Sequence, residues 1–297
     1  MGVPEVIALL LVVEIVLSAR LPLKSDVSFS ENYYVRWAND HTRMLNGGTE
    51  MQLVLDKASG AGFGSRSKYL FGHVSMKIKL VPNDSAGTVT AFYMSSETDK
   101  HDEIDFEFLG NVSGQPYIVQ TNAFANGVGN REQRHYLWFD PTQDFHSYSI
   151  LWNKQQIVFY VDDVPLRVHK NNEAIGIPFP KSQPMGIYSS LWNGDDWATR
   201  GGLEKINWDH APFVAAYKGF SVDACAGGVE SCSAPMGKWW EQEAFQSIDQ
   251  EAKGQLQWVK DNYMIYDYCN DSKRFPTISA ECERERESML HCKSLLV

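Results

Sequence analysis

Acidic and apolar side chains alternate along residues 101–110, whose sequence is HDEIDFEFLG. In an extended strand successive side chains point to opposite faces of a sheet, so Glu103, Asp105 and Glu107 share one face. The intervening residues are apolar and share the other face: Ile104, Phe106 and Phe108. Neighbouring carboxylates repel one another, and a sheet tolerates three of them where their ionisation is used in a polar cleft. The segment therefore predicts a strand with one core face and one cleft face.

Carboxyl pairs that face a cleft are the catalytic groups of glycoside hydrolases. Retaining enzymes hold the two groups about 5 to 5.5 Å apart, and inverting enzymes about 6.5 to 9.5 Å apart. The Cα atoms of Glu103 and Glu107 are about 13 Å apart along a strand, and glutamates that lean together across a twisted strand close much of this gap. We therefore favour retention. Asp105 lies between them and couples to both, which helps to keep one glutamate ionised and the other protonated.

Two other interpretations of this strand compete with catalysis. Alternating charged and apolar residues also occur on the solvated face of an ordinary antiparallel sheet. A metal site built from His101, Asp102 and Glu103 is the second alternative, but successive strand residues point to opposite faces and do not converge on one ion. The turn at 110–114 and the abundant aromatic residues favour a cleft. We expect no metal and no cofactor.

Residues 101–111, HDEIDFEFLGN, resemble the active-site strand of the plant xyloglucan endotransglucosylase/hydrolases, a branch of glycoside hydrolase family 16. The likeness covers about residues 29–284 and includes WANDH at 37–41, NGG at 46–48, YLFGHVSMKIKLVP at 69–82, SAGTVTAFYMSS at 85–96, GQPYIVQTN at 114–122, REQRHYLWFDPT at 131–142 and SSLWNGDDWATRGGLEK at 189–205. The resemblance implies a curved β-jelly-roll sandwich. It also implies that Glu103 is the nucleophile, Glu107 the acid/base and Asp105 an electrostatic helper.

Length and composition agree with a globular protein. The chain has 297 residues, of which 43% are hydrophobic and 12% aromatic, enough to fill a substantial core. The formal net charge is −10, and no basic stripe offsets it. Such a charge argues against nucleic acid or an anionic membrane as partner and fits a neutral polymer as substrate.

The first residues resemble a secretory signal. Residues 6–17 form an apolar run too short to span a bilayer, and Ser18 and Ala19 supply the small residues of a cleavage site. Glu14 interrupts the run, and no Lys or Arg precedes it. We expect a signal peptide over 1–19 and a secreted protein of the cell wall and apoplast.

All five cysteines lie in the last quarter of the chain, which fits export. The family resemblance implies two bridges, Cys225–Cys232 and Cys269–Cys282. Cys292 is then unpaired, and a Cys282–Cys292 bridge remains an alternative. Of the three N-glycosylation sequons, at Asn83, Asn111 and Asn270, Asn111 matches the place where the family carries its glycan.

Short strands broken by turn residues fill the chain from about 29 to 210, with no competing helical period. The predicted strands cover 69–81, 87–94, 101–109, 117–122, 135–139, 147–153 and 156–161. Residues 238–260 predict a helix that packs through Trp239, Phe245 and Leu256, and a strand follows at 263–268. Residues 281–287 predict a solvated tail. The expected organisation is all-β: a catalytic jelly-roll sandwich over 20–215, and over 216–297 a disulfide-bearing extension with one helix and one strand.

Pyranose rings present apolar C–H faces, so a glucan cleft needs aromatic platforms beside hydrogen-bonding groups. Trp192 and Trp197 lie among polar residues and are the leading platforms, whereas Trp138, Trp152 and Trp239 lie in apolar runs and predict packing. The resemblance implies a donor side of Tyr93, His101, Gln120, Asn122 and Arg134. It implies an acceptor side of Trp192, Tyr266 and Arg274, and it adds Gly202 to the substrate-binding set.

Three functions compete on this fold. A carbohydrate-binding protein would typically lose one carboxylate, and none is lost here. We therefore expect a monomeric xyloglucan endotransglucosylase that takes a xyloglucan donor and a xyloglucan or oligosaccharide acceptor. A predominantly hydrolytic enzyme acting on xyloglucan or mixed-linkage β-glucan is the alternative. The stretch 199–205 resembles transferase members of the family, which favours transfer.

Overall fold

The computed structural model describes residues 27–234, 237–284 and 286. The predicted signal peptide over 1–19 and Cys292 lie outside the described residues. The strands are β1 (Tyr33–Trp37), β2 (Thr42–Leu45), β3 (Glu50–Leu55), β4 (Ala61–Tyr69), β5 (Gly72–Lys79), β6 (Thr88–Ser95), β7 (Glu103–Leu109), β8 (Ile118–Phe124), β9 (Gln133–Tyr136), β10 (His146–Trp152), β11 (Gln156–Val161), β12 (Val164–Lys170), β13 (Met185–Asn193), β14 (Phe213–Ala224) and β15 (Met264–Asp267). The α-helices are α1 (Phe29–Asn32), α2 (Val229–Ser233) and α3 (Gln250–Asn262).

Two antiparallel sheets pack face to face. One has eight strands in the order β1-β4-β13-β6-β7-β8-β9-β15, and the other has seven in the order β12-β11-β10-β5-β14-β3-β2. This confirms the predicted all-β sandwich. The extension contributes α3 and β15, as predicted, and β15 pairs with β9 at the edge of the eight-stranded sheet. None of the helices in the described residues has the length and apolar content needed to cross a membrane.

The core lies between the two sheets, and β7 contributes its aromatic face to it. Phe106 and Phe108 are fully buried. The Phe108 ring lies edge-on to Tyr148 of the opposite sheet, with 4.6 Å between ring centroids, and Phe106 lies edge-on to Phe159 at 5.2 Å. Such pairs each add about 0.5 to 1.5 kcal/mol to the burial of their area. The predicted core face of the strand is therefore confirmed.

The single strand predicted over 69–81 is wrong. β4 ends at Tyr69 and β5 begins at Gly72. Between them Phe71 and Gly72 both have positive φ, 66° and 137°, and the chain passes there from the eight-stranded sheet to the seven-stranded sheet. The apolar pattern continues through the turn because Leu70 and Phe71 are themselves buried in the core, and sequence alone could not separate the two strands.

The helix predicted over 238–260 is only partly correct. Its first half forms two 3₁₀ turns, Trp239–Glu241 and Glu243–Phe245, and the α-helix begins after Asp249. The Asp249 side chain accepts a hydrogen bond from the Ala252 amide at 2.8 Å, which is an N-cap contact.

Tertiary contacts keep the first half of this segment out of the helix. The Trp239 indole N–H donates to Asp223 Oδ2 at 2.8 Å, and the Trp239 and Phe245 rings are 4.7 Å apart. Both rings pack against the core, as predicted. Leu256 is half-buried, and Val259 is the fully buried residue of α3.

The solvated tail predicted over 281–287 is wrong at its start. Glu281 is 7% exposed, and its Oε1 accepts a hydrogen bond from Arg131 Nε at 2.9 Å. The same guanidinium donates to backbone carbonyl oxygens of the β8–β9 connection, including that of Val128 at 2.9 Å. The pair forms because residues 280–284 are helical and turn Glu281 inward, beside the half-cystine Cys282.

The structure contains both disulfides that the resemblance implies, Cys225–Cys232 and Cys269–Cys282. The second bridge ties the segment of Glu281 to the residues that follow β15. The predicted domain boundary after residue 215 falls within β14, which belongs to the seven-stranded sheet through its pairing with β3 and β5.

Substitution of Glu281 by Ala would leave the Arg131 charge buried without its partner. We expect a loss of about 3 kcal/mol in the free energy of unfolding, measured by urea denaturation. The exposed neighbour provides the control, because Glu283→Ala should change that free energy by less than about 0.5 kcal/mol. Equal midpoints for the two variants would contradict the structural role of the ion pair.

Candidate active site

Strand β7 lies between β6 and β8, and its cross-strand partners define the surroundings of the three carboxylates. Residues directly opposite on neighbouring strands share a sheet face. Glu103 is opposite Ser95 and Phe124, Asp105 is opposite Tyr93 and Asn122, and Glu107 is opposite Ala91 and Gln120. We call this side of the eight-stranded sheet, which carries Glu103, Asp105 and Glu107, the carboxylate face. The face is deep, since Asp105, Gln120 and Asn122 are each 5% exposed.

Glu107 is held by a chain of hydrogen bonds that crosses two strands. Gln120 Nε2 donates to Glu107 Oε2 at 2.5 Å. Arg134 Nε donates in turn to Gln120 Oε1 at 2.7 Å. Because the amide oxygen of Gln120 is fixed by Arg134, its NH₂ group points to the carboxyl of Glu107. One oxygen of Glu107, Oε2, is thereby bound by Gln120.

Burial raises the pKa of all three carboxyl groups. For Asp105, the charges of Glu107 and Glu103 reinforce burial and bring its pKa well above the usual value. Arg167, from the opposite sheet, opposes that shift. Burial also raises the pKa of Glu107 although the Gln120 hydrogen bond lowers it. The environment therefore favours the protonated form of each group, and the ionisation of one affects that of its neighbours.

Glu103 lies at the start of β7 beside polar and aromatic groups. Burial raises its pKa, and His101, Ser95 and Asp105 act against the shift. The ring of His101 is 5.2 Å from that of Phe124. His101 therefore borders the carboxylate face near the candidate nucleophile, and its place on the donor side stays a prediction.

The C-terminal extension contacts the hydrogen-bonded chain of Glu107, Gln120 and Arg134 at its Arg134 end. The Arg134 guanidinium lies over the Tyr266 ring of β15, 5.4 Å from its centroid. The Tyr266 hydroxyl donates to Asp271 Oδ2 at 3.0 Å, and the Arg274 amide donates to Asp271 Oδ1 at 3.0 Å. The Arg274 guanidinium binds both carboxylate oxygens of Glu132. Tyr266 and Arg274 are thus brought together, and Arg134 lies beside them although the resemblance places it on the donor side.

Trp192 and Trp197 form the opposite rim of the carboxylate face. Their ring centroids are 6.1 Å apart, and both rings are half-buried against Val89 and Leu109. Gly202 ends the 3₁₀ turn Thr199–Gly202 that follows them. Its φ is +84°, and a Cβ atom there would lie 2.4 Å from the Asp196 carbonyl oxygen, so only glycine fits.

Asn122 has a bonded side chain beside Asp105. Its Oδ1 accepts hydrogen bonds from the Arg131 and Ala123 amides, at 3.0 and 2.9 Å. Asn111, the predicted glycosylation site, lies in the turn after β7, where its Nδ2 donates to the Pro116 carbonyl oxygen at 3.0 Å. Glycosylation at Asn111 stays a prediction.

Sequence reasoning missed a cluster next to Tyr93. The Tyr188 ring is 5.4 Å from Tyr93, and its hydroxyl donates to Glu97 Oε2 at 2.5 Å. Arg36 lies over the Tyr188 ring and forms an ion pair with Glu97. The alternation of Tyr34 and Arg36 in β1 is a signal that could have placed these residues on the carboxylate face.

Comparison with known proteins agrees with this geometry. Residues 29–210 match the family described as glycosyl hydrolases family 16, and residues 234–282 match the xyloglucan endo-transglycosylase (XET) C-terminus. Xyloglucan endotransglucosylase protein 34 of Populus tremula x Populus tremuloides is 56% identical over 283 residues, covering 95% of this chain and 96% of its own. The probable xyloglucan endotransglucosylase/hydrolase protein 5 of Arabidopsis thaliana is 60% identical over 269 residues, 90% of this chain and 92% of its own.

Solved structures show the same fold over the sandwich. The β-glucanase of Bacillus licheniformis superposes with a TM-score of 0.54 at 26% identity and covers 65% of this chain and 92% of its own. A Crh5 transglycosylase has a TM-score of 0.55 at 24% identity, with 68% and 82% of the two chains covered. With both family models matched and relatives above 50% identity along nearly the whole chain, the protein belongs to the xyloglucan endotransglucosylase/hydrolase family within glycosyl hydrolase family 16.

Proposed function

We propose that this protein is a xyloglucan endotransglucosylase, which cleaves the β-1,4-glucan backbone of a donor xyloglucan and transfers the fragment to a xyloglucan acceptor. The carrying observation is the bonded chain from Glu107 through Gln120 and Arg134 to Tyr266, because it links the candidate acid/base to the extension. The relatives named for this activity support the choice of polymer.

In the first step the Glu103 carboxylate attacks the anomeric carbon of the donor. The bond from this carbon to the leaving oxygen breaks, and Glu107 Oε1 gives its proton to that oxygen. The raised pKa of Glu107 favours its protonated form, which is the form an acid needs, while Gln120 fixes the carboxyl through Oε2. The donor fragment is then held as an ester of Glu103.

In the second step an acceptor hydroxyl attacks the same carbon and its proton passes to Glu107, now a carboxylate. The ester bond to Glu103 breaks, and the two inversions together retain the stereochemistry. Asp105 lies between the two glutamates, and their charges raise its pKa, so its ionisation is linked to theirs.

Acceptor binding decides whether sugar or water completes the reaction. Three residues of the extension support an acceptor subsite. Tyr266 and Asp271 line an open cavity of about 490 Å³ beside β15. Asp271 is held in place by hydrogen bonds from the Tyr266 hydroxyl and the Arg274 backbone amide. A saccharide seated there holds a hydroxyl in line, which favours transfer over hydrolysis. Trp192 is the proposed platform on the other rim.

We also propose secretion into the cell wall and action as a monomer. The two disulfides support an oxidising compartment, and the polymeric substrate is extracellular. The catalytic unit over 20–215 and the extension over 216–297 are proposed to act together, since β15 extends the sheet that carries the carboxylates.

Substitution of Glu103 by Ala should abolish turnover, because the attacking group is removed. Added azide should partly restore cleavage and yield a product of inverted configuration, detected by NMR of the glycosyl azide. Glu243→Ala, at an exposed position of the extension, is the control and should keep full activity. Substantial activity of Glu103→Ala without azide would refute the assignment.

Substitution of Asp105 by Asn should lower the transfer rate strongly while stabilising the fold at pH 7. The unfolded chain ionises Asp105 at about pH 4, below the raised pKa of the folded state, so wild type loses stability as pH rises through this range. The advantage of Asn should therefore vanish below about pH 4 in denaturation curves. Asp99→Asn, on the surface, is the control and should not stabilise the fold at pH 7. Lower stability of Asp105→Asn at both pH values would contradict the burial argument.

The proposal that transfer dominates over hydrolysis is tested by incubating the protein with xyloglucan and a labelled xyloglucan oligosaccharide. Label should enter high-molecular-weight polymer faster than new reducing ends appear, because the acceptor outcompetes water. Reducing ends that accumulate at one rate with and without acceptor would identify a hydrolase instead.

A further inference from the structure

A row of small residues leads from Glu107 to the outer strand of the sheet. Glu107 is opposite Ala91, Ala91 is opposite Ser190, and Ser190 is opposite Gly62. Gly62 is in turn opposite Trp37 of the edge strand β1. Because opposite residues share a face, these side chains form a shallow trough on the carboxylate face. It spans four strand spacings, about 19 Å, which exceeds the length of a single pyranose ring.

Trp37 lies flat over the far end of this trough. A Cβ atom at Gly62 would lie 2.2 Å from Cη2 and 2.4 Å from Cζ3 of the indole ring. The backbone of Gly62 has no left-handed φ, so the ring is what excludes a side chain there. Trp37 is nevertheless 40% exposed. One part of its surface is therefore packed on the strand, and the remainder is open to a ligand.

The trough has a fixed aromatic wall. Gly64 gives room to Tyr188, because a Cβ atom there would lie 2.8 Å from two ring carbons. Arg36 and Glu97 hold Tyr188 by the contacts described above and neutralise one another. Next to them on β1, Tyr34 is 41% exposed. The β1 end of the trough therefore presents aromatic surface without net charge.

Large aromatic side chains exposed on an edge strand favour aggregation, so they usually mark a binding surface. The trough is continuous with the proposed catalytic pair and points away from β15. A neutral chain of pyranose rings, with apolar C–H faces, matches both its shape and its lack of charge.

We propose that Trp37, with Tyr34 beside it, is a distal donor-side platform that binds a β-glucan chain remote from the cleavage point. The inference rests on the proposed function for the direction of the chain: Tyr266 and Arg274 place the acceptor toward β15, so the donor extends toward β1. Trp192 lies off this row, at the Leu109 end of β7, where it can contact the acceptor without lying on the donor path. Trp37 selects for long donors, because a short oligosaccharide held at Glu107 does not reach β1.

Binding to a catalytically silent parent tests this platform. The full chain carrying Glu103→Ala is run in affinity gels that contain xyloglucan polymer or mixed-linkage β-glucan. Adding Trp37→Ala should weaken retention by xyloglucan about five- to tenfold. The factor should be smaller for a short β-1,4-gluco-oligosaccharide measured by calorimetry. Trp37→Phe, which keeps an aromatic ring and protects against misfolding, should lose about two- to threefold. Gly62→Ala should weaken binding because its Cβ displaces the indole.

The matched control is Met44→Ala, which removes an exposed apolar side chain from the edge strand of the other sheet and should not change retention. Retention of folded Trp37→Ala or Trp37→Phe equal to that of Met44→Ala overturns the platform. An equal loss of affinity for short and long ligands also overturns the platform. A change in oligomeric state at unchanged retention overturns it too, because it would identify Trp37 as a contact between copies of the chain. A parent that binds only mixed-linkage β-glucan, with loss in Trp37→Ala, contradicts the proposed substrate but supports the platform. A parent that binds neither polymer contradicts both.

Discussion

Three carboxyl groups from one strand lie on the carboxylate face, where burial opposes the ionisation of all three and repulsion from neighbouring carboxylates adds to it for Asp105 and Glu107. Strand β7 holds them because its other face packs into the core through Phe106 and Phe108, which contact Phe159 and Tyr148 of the opposite sheet. A shift of register by one residue would place the carboxylates in the core and the phenylalanines in the cleft. The fold therefore fixes the register of β7 more strongly than any contact on the carboxylate face does, and the raised pKa values follow from that register.

Polar contacts then distinguish the two glutamates. Glu107 receives the amide of Gln120, which is oriented by Arg134, and Arg134 in turn lies over Tyr266. Glu103 has no comparable link to the extension among the hydrogen bonds of the described residues, and it lies beside His101. The proposed acid/base group and the proposed acceptor subsite are consequently linked through one side of the sheet. On that proposal, a displaced extension would disturb the contact of Tyr266 with Arg134, and through Arg134 the orientation of Gln120 toward Glu107.

Local patterns account for what the sequence could predict. The alternation in β7 is complete within seven residues, so its two faces follow from strand geometry alone, and the sandwich follows from repeated strands with turn residues. The start of α3 was missed because Trp239 is held outside the helix by its hydrogen bond to Asp223 of β14, a contact that the local sequence pattern does not show. Glu281 was missed because its partner Arg131 lies 150 residues earlier in the chain. Buried partners distant in sequence leave no periodic signal, whereas the alternation around Asp105 does.

The order of strands in the eight-stranded sheet gives the cleft its direction. β1 lies at one edge and β15 at the other, with β7 between them, so the first and last described strands of the chain bound the two sides of the proposed cleavage point. A long polymer that crosses all these strands contacts residues contributed by both ends of the chain, and its fragments on either side of Glu103 can be bound independently. This separation is what transfer requires, because the donor fragment has to remain seated while one leaving chain departs and another acceptor enters. Hydrolysis has no such requirement, so an extended surface on both sides of β7 is physical support for transfer.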